Sequence, residues 1–322
     1  MTTITVNGIS LPVKDYLCRR KESDYMRKPA HLVNRLWLYV NVTNRCNASC
    51  PFCIAGPAGT EVLDPETFLV CFDSVKDHVA GVSLTGGEPM LYPELVNTLI
   101  LGIRKRAGEA LEIDLASNGT NLDTLRELPA LEELTAIHLS RHTITDRSGE
   151  NGAFPEEKKI AEFISSLQDP GKVVFNCILS TDSIHDMDGI AQYLDRSIRI
   201  GVRNNSFIQM MRPSWNVSWW ENHMVRTSSL PLMQDPALQD WNETHRDRQF
   251  HIWHREQDYE YCHCATGSYR NAEGSTLFYV RAPGNEKPPD YARQLVYGPD
   301  NCLRAGFGKA RVLWCQRSAE VN

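Results

Sequence analysis

Six short apolar runs alternate with five amphipathic stretches through the first two thirds of the chain, and that alternation restricts the fold more than any other property. The runs are LWLYVNV (36–42), GVSLT (81–85), LEIDLAS (111–117), AIHLS (136–140), VVFNCILS (173–180) and NSFIQMM (205–211). Between them lie PETFLVCFDSVKDHV, PELVNTLILGIRKRAG, TNLDTLREL, PEEKKIAEFISSLQ and DMDGIAQYLDRSIRIG, whose apolar residues recur at helical spacing. Strand, helix, strand in this rhythm predicts an α/β chain with a parallel sheet, because a parallel neighbour is reached only by a long, right-handed crossover. In such sheets ligands sit beyond the carboxyl ends of the strands.

Composition narrows the function classes. The 322 residues, 42% of them hydrophobic, suffice for a large core. The net charge is -6, and the basic residues form no run longer than the three of Arg19-Arg20-Lys21 and Arg104-Lys105-Arg106. That argues against nucleic acid and against a membrane surface as partner. The opening MTTITVNGISLPVKDYL has no charged start before a long apolar core, so a cytoplasmic location is expected. Ten cysteines in such a chain point to metal binding or reactivity rather than to disulfides.

Three of the ten crowd into VNVTNRCNASCPFCIAGP (40–57), directly after the first run: Cys46, Cys50 and Cys53. Free cysteines are mostly small buried hydrophobes, but a C-x3-C-x2-C cluster after a strand is poorly explained that way. Structural zinc would need a fourth ligand, and the next candidate is Cys71. Soft thiolates suit iron–sulfur clusters, and three of them leave one iron of a 4Fe–4S cluster open to another molecule. A second motif ends the second run, where GVSLTGGEPML places Gly86, Gly87, Glu88 and Pro89. Alone, Gly-Gly before Pro is a common chain breaker.

Taken together, C-x3-C-x-aromatic-C with Phe52 as the aromatic, and GGEP at the next strand end, resemble the signature of the radical S-adenosylmethionine (SAM) superfamily. The resemblance covers about residues 36–212. It implies a partial (β/α)6 parallel barrel with a carboxy-terminal accessory region, a 4Fe–4S cluster on Cys46, Cys50 and Cys53, and SAM on the open iron. It further implies a SAM cradle of Gly86, Gly87, Glu88 and Pro89 beside Phe52, in which glycines without a Cβ admit the ligand to the backbone. At later strand ends Ser117, Asn118 and Ser140 are expected to face SAM; the related molybdopterin-precursor cyclase contacts SAM through a hydroxyl residue at such a strand end. Ile208 is the expected adenine contact, with Arg212 at the mouth. Arg141 reads either as a carboxylate partner or as a solvent-facing charge, His142 as a surface or site residue, and Asn176 as a SAM contact or a group that satisfies buried backbone.

Three regions follow from this reading. Residues 1–34, with the charged stretch CRRKESDYMRKPAHL, form an amino-terminal extension expected to wrap the outside; 35–212 are the core; 213–322 are a substrate-covering region. The stretch 213–255 holds five of the seven tryptophans among several prolines, and reads as a long loop over the mouth or as a small accessory core. TLFYVRAP and ARQLVYGPDNCLRAGF read as strands that close a small sheet. Cys262, Cys264, Cys302 and Cys315 lack the cysteine spacings of the auxiliary-cluster domains in relatives, so they read as ordinary thiols, with a second cluster as the alternative. The resemblance implies an enzyme acting on a small-molecule biosynthetic intermediate, fed electrons by a carrier such as flavodoxin or ferredoxin. A ribosomally made peptide is the alternative substrate, and a non-enzymatic cluster-binding sensor is a distant third that would not need the GGEP cradle.

Overall fold

The computed structural model describes residues 2–13, 36–56, 58–144, 155–256, 264–282, 291–292, 294–306 and 311–315. The charged stretch 18–32 lies outside them. Ahead of it stands a hairpin, β1 (Thr2–Val6) and β2 (Ile9–Val13), turned at Asn7 and Gly8. Their φ angles of 49° and 77° are the left-handed pair that a two-residue turn requires and that Asn-Gly supplies at low cost.

The six expected strands are present as β3 (Leu36–Thr43), β4 (Val79–Gly86), β5 (Glu112–Ser117), β6 (Ala136–Ser140), β7 (Val173–Leu179) and β8 (Asn204–Gln209). They lie side by side in that order, all parallel. Between them run α1 (Pro65–Asp73), α2 (Pro93–Ala107), α3 (Leu122–Arg126), α4 (Glu157–Ser166) and α5 (Met187–Arg199). Start signals are explicit: Asp64 accepts the Thr67 amide at 2.9 Å ahead of Pro65, and Asp186 accepts that of Gly189 at 2.8 Å.

Alternation along each strand separates two environments. Ile113, Leu115, Ile137, Leu139, Phe175 and Cys177 are buried in one core with Val96, Leu99 and Ile103 of α2, Phe163 of α4 and Leu194 of α5. Each large apolar side chain buried there contributes roughly 1.5–3 kcal/mol, which sets the strand register. Residues one position along, among them Asp114, His138, Ser140, Asn176 and Ile208, stay out of that core and line the opposite face.

The carboxy-terminal third departs from expectation. Its strands β9 (Gln249–Glu256), β10 (Cys264–Arg270), β11 (Ser275–Arg281), β12 (Gln294–Tyr297), β13 (Cys302–Arg304) and β14 (Val312–Cys315) build no sheet of their own. They extend both edges of the parallel core, giving the order β14-β13-β12-β3-β4-β5-β6-β7-β8-β11-β10-β9. β12 pairs parallel with β3 and β11 parallel with β8, which widens the parallel region at each side. The physical reason is that β3 and β8 would otherwise be edge strands with unpaired backbone groups.

The tryptophan-rich stretch is likewise ordered rather than a loop. It forms α6 (Val217–His223), α7 (Asp235–Thr244) and then β9. Trp241 of α7 packs against Phe250 with ring centroids 5.0 Å apart, and both join the main apolar core rather than a separate accessory one. Cys302 and Cys315, expected to be thiols, are disulfide-bonded. They stand opposite each other in the β13–β14 ladder with Cα atoms 4.2 Å apart, a juxtaposition that linear spacing does not reveal. Cys262 lies outside the described residues, as does the side chain of Cys264. No helix among the described residues is long and apolar enough to cross a membrane.

Candidate functional site

β3 ends at Thr43, and the cysteine loop leaves from there and returns to it. Thr43 bridges Val62, the Asn44 amide donates to Glu61 O at 2.9 Å, and that of Leu63 to Val42 O at 2.9 Å. The loop is therefore tied at its base. Within it the Cys53 amide donates to Cys50 O at 3.1 Å and the Ala48 amide to Cys46 Sγ at 3.4 Å, so the three cysteines share one compact turn.

Their electrostatics suit a cation. All three are free thiols, partly exposed. Burial, then repulsion from the Cys53 and Cys46 thiolates, pushes the Cys50 thiol up to about 12. Cys46 is raised by burial first and by the nearby Glu88 and Cys53 charges. A metal centre would stabilise the deprotonated form of these raised thiols, since ligation requires deprotonated sulfur. Among the described residues no three His, Cys, Asp or Glu side chains close on one point as a single ion would need. Three free thiols in one compact loop fit a 4Fe–4S cluster, which would take one iron on each sulfur and leave the fourth open.

The two glycines serve this loop directly. A Cβ on Gly87 would stand 2.0 Å from Arg45 O, and one on Gly86 2.5 Å from Thr43 O; Gly86 also has a φ of 129°. The space freed by the missing side chains is filled by the root of the cysteine loop, whose Thr43 and Arg45 carbonyls accept the Gly87 and Glu88 amides at 2.7 and 2.8 Å. The two glycines expected in the SAM cradle thus also lock the loop onto the end of β4.

Glu88 is 1% exposed and works as an internal bracket. Its carboxylate accepts from Ser117 Oγ at 2.8 Å, the Met90 amide at 3.0 Å and the Asn118 amide at 2.7 Å. Burial holds it above the usual carboxylate range against the pull of those three donors. Pro89, also buried, begins a short turn of helix after it. Ser117 is 3% exposed with its hydroxyl committed to Glu88. Asn118 reaches the cysteine loop instead: its Nδ2 donates to Asn47 Oδ1 at 2.7 Å, and Asn47 Nδ2 donates to Thr120 Oγ1 at 2.8 Å. Asn47 is a site residue the sequence did not flag, since nothing in its neighbourhood signals a partner on another strand end.

The remaining expected residues separate by face. Ser140 and Ile208 are half-buried on the face away from the core, near the strand ends. Asn176 lies there too, its Oδ1 3.3 Å from His138 Nδ1, while His138 Nε2 is 3.4 Å from Asp114 Oδ2. These three form a polar diagonal across β5, β6 and β7. Arg141 turns away: it pairs with Glu157 of α4 at 3.5 Å and donates to Pro155 O at 3.0 Å. Arg212 is exposed with its guanidinium 5.9 Å over the Trp220 ring.

Phe52 packs edge-on to the buried His142, centroids 4.7 Å apart, and lies 6.3 Å from Trp219. Burial lowers the His142 pKa to about 3, and its Nδ1 accepts the Ile178 amide at 3.0 Å. The folded value lies below the unfolded one near 6.5, so the unfolded chain binds the proton first and stability is lost as pH falls below 6.5. Between about pH 7 and pH 5 the wild type should lose about 2 kcal/mol more stability than His142→Gln, read from urea unfolding. Parallel pH slopes in the two chains would remove His142 as the source.

A family model described as the radical SAM superfamily matches residues 40–199, the span from within β3 to the end of α5. Molybdenum cofactor biosynthesis protein 1 of Bos taurus is 29% identical over 226 residues, 64% of this chain and 33% of that protein. The GTP 3′,8-cyclase of Corynebacterium glutamicum is 30% identical over 118 residues, 33% of this chain and 31% of the cyclase. The chain thus spans about a third of the length of the curated relatives it matches. Among solved structures, Streptococcus suis SuiB bound to precursor peptide SuiA shares the fold at a TM-score of 0.55 and 12% identity, over 86% of this chain and 60% of SuiB. With the three-thiol loop locked to the GGEP strand end, and the family model covering both motifs, residues 40–199 belong to the radical SAM superfamily of enzymes, whose members bind a 4Fe–4S cluster and SAM.

Proposed function

We propose that this chain is a radical SAM enzyme that abstracts hydrogen from a small-molecule biosynthetic intermediate. The observation that carries the reading is the lock between the two motifs: a compact three-thiol loop pinned through Thr43 and Arg45 to Gly87 and Glu88. Cys46, Cys50 and Cys53 would hold the cluster, and Gly86, Gly87, Glu88 and Pro89 the SAM-facing strand end. When bound, the pair supplies a 5′-deoxyadenosyl radical by one-electron cleavage of the SAM carbon–sulfur bond.

The chain's own residues arrange the surroundings. Glu88, Ser117 and Asn118 fix the ends of β4 and β5 to each other, Ser140 and Ile208 line the adjoining strand ends, and Phe52 fills the space between the loop and His142. The polar diagonal of Asp114, His138 and Asn176 offers hydrogen bonds to a substrate deeper on the same face. That wall, and relatives named for molybdenum cofactor biosynthesis and for a cyclase of GTP, favour a small molecule over a peptide. Residues 35–212 carry this chemistry, 213–322 complete its flanks, and a one-electron protein carrier is the partner the cluster needs.

Anaerobic protein, reconstituted with iron and sulfide and reduced with dithionite, should convert SAM slowly to 5′-deoxyadenosine and methionine without added substrate. S-adenosylhomocysteine as the sole product would point to polar methyl transfer and sink the reading.

A further inference from the structure

The cysteine loop is also gripped from outside, by a segment 162 positions later in the chain. Trp215 Nε1 donates to the Cys53 carbonyl at 2.6 Å, and Asn216 Nδ2 donates to the Pro51 carbonyl at 3.1 Å. The Trp215 ring lies against the bare Cα of Gly56, where a Cβ would approach it to 3.3 Å. Trp215 remains 41% exposed, so the hydrogen bond rather than burial fixes its indole. Asn216 stands at the start of α6, a position where Asn ordinarily caps the first free amides, yet it makes no such bond. Its amide is diverted to the loop.

The far end of α6 is anchored as well. His223 O accepts the Thr181 amide at 3.1 Å, Met224 bridges Ser180 beyond the end of β7, and Trp219 stacks on His223 with centroids 4.3 Å apart. α6 thus spans from the third cysteine to the β7 end of the sheet.

We propose that Trp215 and Asn216 are positioning residues for the Cys53 ligand, and that α6 and the cysteine loop order together, so that cluster insertion secures α6 over the strand ends. The proposal rests on Cys46, Cys50 and Cys53 being the cluster ligands. The ordered loop presents the Pro51 and Cys53 carbonyls as fixed acceptors, and a cluster on Cys46, Cys50 and Cys53 would hold the loop in that shape. In the other direction, an N–H dipole on the Cys53 carbonyl withdraws negative charge from the ligand that carries the cluster and favours its reduced form.

The test compares wild type, Trp215→Phe and Asn216→Ala as full chains, each with and without reconstituted cluster. Trp215→Phe keeps a ring at the site and removes only the donor. Iron per chain, the rate of iron release to a ferrous chelator, the cluster midpoint potential by EPR-monitored titration, and proteolysis within residues 211–224 are measured. Loading should slow cleavage of that segment in the wild type by about fivefold, roughly the worth of one hydrogen bond. Both variants should still bind iron, release it about fivefold faster, lose the protection on loading, and titrate at a more negative potential. Wild-type release rates, potential and protection in both variants would overturn the proposal. A wild type that binds no iron would instead overturn the ligand assignment beneath it.

Discussion

A chain with Cys46, Cys50 and Cys53 all changed to Ala is expected to bind no cluster iron and to form no 5′-deoxyadenosine, against about four irons per chain in the wild type. The effect should be all or none because the three thiols share one short loop. Cys71 and Cys177, the other free thiols described, are buried in the helix-covered core and cannot substitute. The folded chain should survive, since the loop base is held by backbone hydrogen bonds from Asn44, Leu63, Gly87 and Glu88 that Ala does not touch. Iron analysis, visible absorbance and product chromatography read the result. A triple variant that keeps its cluster would mean the ligands lie elsewhere. Changing Cys302 and Cys315 to Ser makes the matching control: these two are consumed in a disulfide at the sheet edge, so the iron count should not move.

Gly87→Ala should abolish cluster binding without altering a ligand. Its new methyl would stand 2.0 Å from Arg45 O and 2.5 Å from the Arg45 carbonyl carbon, neither of which is a flexible side-chain end. Either β4 or the cysteine loop must shift, and the Glu88 amide then loses its acceptor. The stability cost should be about 3 kcal/mol, at the upper end for overpacking because backbone must yield. Gly108→Ala tests the geometry: with φ 75° and ψ -171° it carries backbone strain of about 1–3 kcal/mol, but nothing lies within 4 Å of the added carbon, so full iron loading is expected. Equal iron losses in the two variants would show that the contact with Arg45 is not what matters.

The parallel core was legible because period and punctuation agree within each segment. In β6 the apolar run AIHLS coincides with the strand to the residue, and in α2 Pro93 opens and Gly108 closes the predicted helix. The hairpin turned at Asn7-Gly8 stands in the amino-terminal segment that was expected only to wrap the outside. What the sequence does not display is pairing between distant segments. Nothing local to Cys302 announces Cys315 across a ladder, or marks Asn216 as a donor to Pro51. The tryptophan-rich stretch misleads for a related reason: prolines at 213, 231 and 236 break it into short pieces, and the helices between them are held by contacts such as Trp241 with Phe250 rather than by propensity. Glu88, expected in the SAM cradle, also brackets the end of β5 through Ser117 and Asn118, partners that linear spacing does not reveal.

The sheet order carries a consequence for biosynthesis. β3 is among the first strands of the core to leave the ribosome, yet its outer neighbour β12 is translated after almost everything else, and β8 waits similarly for β11. Contact order at both seams is therefore high, and the nascent chain must carry two long apolar strand edges through most of its synthesis. Refolding from denaturant should be slow and concentration-sensitive, and in the cell holding chaperones should engage β3 and β8 until the last third of the chain arrives to cover them.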